Sequence, residues 1–416
     1  MTCNLLHDYS YLRLTYTLLL ACFFFNQGLL KDYKQLQYNK NGKFKIVQLT
    51  DIHFGETDSK DRRSQDVIRT VIELEQPDLV VVTGDVVSGY EWDDKSQGFF
   101  ASNYGKMTSV LEELNVHWAF TAGNHDTEGD LNRAQVSYHD QSFSLSLTRP
   151  NAANISYEHN YVIPVYNQNG SKIEFRLWFL DSGYESNCRG LQGYDCIQED
   201  QINWYRSEHS KISDNDSSKG RGFLFMHIPI QQYINLYNYG TIYGNRGEDI
   251  CCGAYDTGLF GAIIEQSTVE WISCGHDHNN DYHGNYEGVN LAYGRKTGYG
   301  GYQQASIKKG ARVFEITQEP YNIKTWIRQE DGTIDFNDML YSLHRTHYDF
   351  QKRCCNTELI EEQVQVTYTY YYFLIALIAI FFLVMDSIRN RHLKKKINNQ
   401  DNESSQKLCK ELSTHE

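Results

Sequence analysis

The residues best placed to do chemistry are His276 and His278, two imidazoles flanking Asp277 at the end of an apolar run that reads WISCGHDH from Trp271. On an extended segment, side chains two apart leave the same face, so both rings can reach neighbouring positions on one ion or on a metal pair. A Gly-His-X-His turn also serves as an ordinary polar loop, so the weight falls on how the other apolar runs end. Four of them end in the same kinds of residue. Lys45 to Leu49 leads to Asp51 and His53, and Asp78 to Thr83 leads to Gly84 and Asp85. His117 to Thr121 leads to Asn124, His125 and Asp126, and Gly222 to Met226 leads to His227. Carboxylates and imidazoles are the ligands of borderline-hard divalent cations such as Mn, Fe and Zn. An aspartate between two such ions bridges them, and the pair clamps the attacking and leaving oxygens of a phosphoryl displacement. Bound cations also lower the pKa of water enough to make a nucleophile near neutral pH. Taken singly, Asp51 could cap a helix, His227 could be a satisfied core histidine, and Asn124 could shape a turn. Five runs ending alike point to one constellation.

The elements that position these residues follow from periodicity. Short apolar runs read as buried strands, whose C-terminal ends are where α/β sheets carry their chemistry. Asp61 to Glu75 is an amphipathic helix with Val67, Ile68, Val71, Ile72 and Leu74 on its buried face, stopped by Pro77. Met107, Val110, Leu111 and Leu114 mark a second helix. The strand–helix–strand alternation implies crossover units and parallel inner strands. Asp130 to Asn160 shows no clear period and reads as an inserted loop region near the site. Phe175 to Leu180 is a strand ending at Asp181, Glu199 to Ile212 a helix, and Gly244 to Gly258 an irregular Gly-rich stretch with Cys251 and Cys252. Val289 to Tyr293, Ala311 to Thr317 and Tyr321 to Arg328 read as strands closing a second sheet.

With 416 residues the chain can bury a full core. A net charge of -14 argues against a nucleic-acid backbone as partner, since phosphate contacts need a basic surface. Near the N-terminus, Leu14 to Phe25 follows Arg13 and resembles a signal-peptide core or an anchor, giving a segment 1–28. Tyr370 to Met385 is apolar, uncharged and opens on tyrosines; Arg389, Arg391, Lys394, Lys395 and Lys396 follow, the positive-inside pattern of a stop-transfer helix. The expected layout is a catalytic domain over 42–330, a connector over 331–366, a transmembrane helix over 367–386 and a cytosolic tail over 387–416. The catalytic domain would then lie in a lumen or outside the cell. Seven cysteines fall in that ectodomain; a Cys188–Cys196 loop suits an oxidising compartment, and the odd count leaves one thiol or an intermolecular bridge. Asn154, Asn169 and Asn215 open Asn-X-Ser sequons.

The order D-X-H, G-D, G-N-H-D, a lone strand-end H and G-H-D-H resembles the calcineurin-like metallophosphoesterase superfamily. The flanking text QLTDIHFG, VVTGD, AGNHD, WFLDSG, FMHIPI, CGHDHNND and GRKTGYGGY is similar to its purple-acid-phosphatase-like branch with fungal and short plant members. The resemblance spans Lys45 to Thr317 and implies an α/β fold, a four-layer α/β/β/α sandwich with a dinuclear site at the strand ends. It implies that Asp51, His53 and His278 bind one metal, Asn124, His227 and His276 the other, and that Asp85 bridges them. His125 would protonate the leaving group or stabilise the phosphoryl oxygens, with Asp126 orienting its ring. Arg295, Lys296 and Tyr299 could contact substrate phosphate, or could simply form a turn into the next strand. Where purple enzymes carry a metal-binding tyrosine, three residues after the bridging aspartate, this chain has Ser88. An obligatory ferric ion is therefore not implied, and two divalent ions among Mn, Fe, Zn and Mg are. The expected reaction is hydrolysis of phosphate monoesters, on a small molecule or a phosphoprotein, by a metal-bound hydroxide. A phosphodiesterase acting on nucleotides or lipid head groups, and a catalytically silent membrane receptor or scaffold, are the alternatives.

Overall fold

The computed structural model describes residues 31–213, 216, 218–338, 350–355 and 360–412. Segment 1–28, the sequon at Asn215 and parts of the expected connector lie outside them.

The chain enters on β1 (Leu36–Gln37) and β2 (Lys43–Leu49), crosses through α1 (Asp58–Glu75) to β3 (Leu79–Thr83), and through α2 (Phe99–Glu113) to β4 (Trp118–Thr121). Helix α3 (Arg133–Gln141) precedes β5 (Tyr161–Tyr166), β6 (Ile173–Phe179) and the hairpin β7 (Glu185–Cys188) and β8 (Leu191–Tyr194). Helix α4 (Glu199–Ser210) leads to β9 (Gly222–Phe225), then α5 (Gln232–Tyr239) and α6 (Leu259–Gln266) to β10 (Trp271–Cys274). The domain ends with β11 (His283–Tyr286), β12 (Val289–Tyr293), β13 (Gly310–Thr317), β14 (Asn322–Gln329) and β15 (Ile334–Asp335).

Two large sheets result. One runs β15-β14-β13-β2-β3-β4 and the other β1-β5-β6-β9-β10-β12-β11. Strands β2, β3 and β4 are parallel, as are β6, β9, β10 and β12, so the motif-bearing ends within each set share one edge. Alternation along β2 assigns its side chains to different cores: Phe44 and Ile46 face the layer between the sheets, while Val47 and Leu49 face the helices. Val67, Ile68, Val71 and Ile72 of α1 and Met107, Val110 and Leu111 of α2 pack on that helix side. On the far face of the other sheet, Tyr205 of α4, Tyr233 and Leu236 of α5 and Ile263 of α6 cover Trp178, Leu224 and Ile272. Phe314 and Ile316 join Phe179, Phe223 and Phe225 between the sheets. Buried Gln48 spans the two sheets, donating to Thr83 Oγ1 at 2.9 Å and to the Cys274 carbonyl at 3.0 Å, and accepting from Ser273 Oγ.

Two expectations need correction. Strands β13 and β14 do not close the second sheet with β12; β13 pairs antiparallel with β2 in the first sheet, and β14 follows it there. Strand β13 has apolar residues on both faces, Ala311 and Val313 toward the helices and Phe314 and Ile316 toward the other sheet, and pairing with the edge of β2 buries both sets. The supposed loop 130–160 contains α3, started by a reciprocal cap in which Gln135 N–H donates to Asn132 Oδ1 at 3.0 Å and Asn132 N–H to Gln135 Oε1 at 2.9 Å.

Disulfides join Cys188 to Cys196, Cys251 to Cys355 and Cys252 to Cys354, and Cys274 stays a buried thiol. The chain divides into two compact units, 1–356 and 357–416. The second holds α7 (Ile360–Leu412), whose stretch Tyr370–Ser405 is long and apolar enough to cross a membrane by length and composition.

Candidate metal centre

Every ligand-type residue singled out in the sequence follows a strand: Asp51 and His53 after β2, Asp85 after β3, Asn124 after β4, His227 after β9, His276 and His278 after β10. Their ligating atoms form two groups, each with all members within 4.8 Å of one another: Asp51, His53, Asp85 and His278, and Asp85, His227 and His276. Asp85 belongs to both. Asn124 joins the second, its Oδ1 lying 3.1 Å from His227 Nε2. A third group, Cys188, Asp195 and Cys196, offers no thiolate because its cysteines are bridged to each other.

Bringing these side chains together strains the backbone. Asp51, His53, Asp85 and His276 have φ of 51°, 57°, 52° and 78°, the left-handed region that ordinary side chains avoid. The strain is held by polar anchors. The Asp126 carboxylate accepts from four backbone N–H groups, those of Asp85, Val86, Val87 and Gly123, at 2.8–3.0 Å. A side chain at Gly123 would collide with the Asp85 carboxylate, so only glycine lets the two loops close up.

The imidazoles are oriented from behind. His227 Nδ1 donates to the Thr83 carbonyl at 2.6 Å and His278 Nδ1 to the Tyr302 carbonyl at 2.7 Å. A carbonyl only accepts, so in the neutral ring Nε2 carries a lone pair, the arrangement that metal-ligating histidines use; on His227 a cation would take the place of the Nε2 proton. His53 and His278 then point their Nε2 atoms at each other across 3.1 Å, and among the described residues His276 Nε2 is buried without a partner. Converging lone pairs and an orphaned ring nitrogen beside two carboxylates fit a pair of cations.

The charge balance agrees. Burial pushes Asp51 up to about 6 against the pull of His227, with Asp85 adding to the rise. Asp85 is itself opposed by burial, yet His227 and His125 hold it well below the usual carboxylate range. Burial keeps His53, His276 and His278 well below the ordinary histidine value, leaving them neutral and ready to ligate. Burial also opposes protonation of His227 and His125, but Asp85 raises both to about 9.

His125 sits over a cavity of about 240 Å³ that also exposes His53, Asp85, His276 and His278. Its Nδ1 pairs with Glu128 Oε2 at 2.6 Å, so Glu128, not Asp126, orients the ring. The turn His125–Thr127 is a single 3-10 turn that brings residue 128 back beside 125, while Asp126 points inward to the backbone. The expected substrate contacts are also reassigned. Buried Arg295 is ion-paired with Asp281 and Asp335 and donates to the Lys308 carbonyl; buried Lys296 donates to the Asp51 carbonyl at 2.7 Å. The Tyr299 hydroxyl donates to Glu330, and its ring lies 3.6 Å under the Arg63 guanidinium. None of the three lines the cavity; from that segment Gly301 and Tyr302 do. Ser88 Oγ lies 3.3 Å from His53 Nδ1, and Tyr90, two residues on, lines the cavity with its hydroxyl donating to Glu56 at 2.6 Å.

The profile described as calcineurin-like phosphoesterase matches residues 44–280. The chain is 28% identical over 343 residues to an Arabidopsis thaliana protein named probable inactive purple acid phosphatase 29, covering 73% of this chain and 87% of that one. It is 29% identical over 348 residues to phosphatase DCR2 of Saccharomyces cerevisiae, covering 74% of this chain and 58% of that one. A solved dimetal phosphatase from Danio rerio shares the fold at 12% identity, with a TM-score of 0.50 over 72% of this chain and 98% of that one.

Proposed function

This chain belongs to the calcineurin-like phosphoesterase family, with purple-acid-phosphatase-like relatives, and from that premise we propose that it hydrolyses phosphate monoesters at a two-cation centre. The observation that carries the reading is the pair of ligand groups sharing Asp85, with the Nε2 atoms of His53 and His278 converging at 3.1 Å and His276 Nε2 buried without a partner among the described residues. In this assignment Asp51, His53 and His278 hold one cation, Asn124, His227 and His276 the other, and Asp85 both. Mn, Fe, Zn and Mg all suit the donor set, and Ser88 in place of a tyrosine removes the ligand that marks a purple ferric site. When bound, the cations activate water and neutralise charge on the phosphoryl oxygens.

The chain's own groups do the rest. His125, raised by Asp85 and Glu128 against burial and fixed through Nδ1 to Glu128, presents its other nitrogen as proton donor to the leaving oxygen. Asp126 holds the loop of Asp85 against the loop of Asn124. We place the four-layer α/β/β/α catalytic domain from residue 42 and extend its end from the expected 330 to 356, since β15 and the bridges of Cys354 and Cys355 belong to it, with a span at 367–386 and a cytosolic tail at 387–416 following. The three disulfides favour a lumenal or extracellular domain.

A second reading, a silent binding protein of the same fold, draws on the word "inactive" in the name of the Arabidopsis relative. One experiment separates them. The full-length chain, loaded with Mn or Zn, is assayed on phenyl phosphate and the matching diester before and after chelation. We expect chelator-sensitive turnover, faster on the monoester, and about a hundredfold loss of turnover and reduced metal content in Asp85→Asn. Two bound metals with no turnover would support the silent reading, and a faster diester rate would make the protein a phosphodiesterase.

A further inference from the structure

We propose that the leaving group this centre accepts is aromatic: its substrate is the phosphate monoester of a phenol, of the kind a phosphotyrosine side chain provides. The inference rests on the monoester reading above and names the substrate class of the same site.

Three tyrosine rings build the cavity wall, and each starts from a histidine of the site. Tyr302 stacks on His278 with centroids 4.2 Å apart at 26°, Tyr194 meets His276 edge-on at 4.3 Å, and Tyr90 meets His125 edge-on at 5.0 Å. The rings therefore extend outward from the place where the phosphoryl group must sit. Tyr302 and Tyr90 remain 55% and 45% exposed, so ring surface is open to a ligand. Their positions are fixed in advance. The Tyr90 hydroxyl is held by Glu56, which also accepts from Lys60 and from the Gly301 N–H at 2.5 Å, and Tyr302 hydrogen-bonds Glu248. Preset rings bind an aromatic partner with little further loss of freedom.

Charge and size narrow the class further. Among the described residues, neither lysine nor arginine lines the cavity. A second phosphate would find no cationic side chain there to receive it, which disfavours nucleotides and polyphosphates. A volume of about 240 Å³ falls below the range of about 300–1,000 Å³ typical of drug-sized ligands, and suits one ring and one phosphoryl group. In the reaction, the water oxygen bonds to phosphorus as the bond from phosphorus to the ring oxygen breaks. His125 gives its proton to the departing phenolate, the proton released by water returns through solvent to His125, and the products are phenol and inorganic phosphate.

The test uses the full-length chain with Mn, two peptides of one sequence carrying phosphotyrosine or phosphoserine at the same position, and free phosphotyrosine. Tyr302→Leu should lower kcat/KM for the phosphotyrosyl peptide about fivefold more than for the phosphoseryl peptide, as loss of an aromatic pair predicts. Tyr302→Phe should keep the wild-type ratio. Tyr90→Leu is an independent variant with the same expected bias. Equal losses on both peptides in both leucine variants would overturn the inference and leave the hydrolase reading standing. Wild-type protein that turns over neither peptide nor phenyl phosphate would overturn both. Equal kcat/KM for free phosphotyrosine would assign a small phenolic ester, and preference for the peptide a phosphoprotein.

Discussion

Asp181 and Asp51 both follow strands, β6 and β2, and both are buried, 0% and 1% exposed. Their surroundings differ in one respect. Asp181 receives the fork of Arg133, with Nε at 2.9 and 2.8 Å from its two oxygens, and also accepts from His159 Nδ1 at 3.1 Å. Burial opposes its charge, yet Arg133 and His159 hold it far below the usual carboxylate range. Among the described residues Asp51 accepts from Thr50 Oγ1 and the His276 N–H and from no guanidinium, and burial lifts it to about 6. A carboxylate already matched by an internal guanidinium is finished as structure. One that burial raises, with no guanidinium on its oxygens and the neutral imidazoles of His53, His276 and His278 beside it, is built for a cation from outside.

The largest effect should come from breaking the finished site. Arg133→Met takes from Asp181 its guanidinium partner and also frees the Gly123 and Ala122 carbonyls that Arg133 binds at 3.0 Å. We expect a loss of about 3–5 kcal/mol by urea unfolding at pH 7. Asp181 is depressed, so its pairing stabilises the fold above its unfolded value of 3.8 and ceases to do so as pH falls through the folded pKa. The variant should therefore approach wild type in acid, and a pH-independent gap would contradict the pairing.

The unfinished site should behave oppositely. Asp51 is raised, so in chelated protein its protonated form favours folding below its unfolded value of 3.8, and that benefit is lost as pH rises through about 6. A cation competes with the same proton. Apparent Mn affinity by calorimetry should rise by up to about tenfold per pH unit between 4 and 6; a flat profile would mean that Asp51 is not a ligand. The smallest effect concerns His125. Glu128 raises its pKa, and the proton-donating form is lost above it. Glu128→Gln should move the alkaline fall of kcat to lower pH and cost about threefold at pH 8, with the acid side unchanged.

The ligand set was legible because each member follows an apolar run of four or five residues, too short for a helix and bounded by a turn, which reads as a buried strand. Partnership was less legible. Whether His125 leans on Asp126 or Glu128 depends on one 3-10 turn, which no periodicity announces. Strand β13 satisfies either sheet by composition, and only the free edge of β2 decides. Arg295 and Lys296 read as phosphate ligands because they are cations in a Gly-rich turn, but their partners, Asp281 and the Asp51 carbonyl, lie 14 and 245 positions away. The cap of α3 was present as Asn132-X-X-Gln135 and identifies a helix of nine residues too short for its periodicity to be seen.

The adjacent bridges Cys251–Cys355 and Cys252–Cys354 have a mechanical consequence. Tension entering the domain along the chain from its C-terminal side reaches these two covalent bonds before it reaches β15 and β14. It is handed to the loop of Cys251, a residue of the cavity wall, and the terminal strands are spared from being peeled off one hydrogen bond at a time.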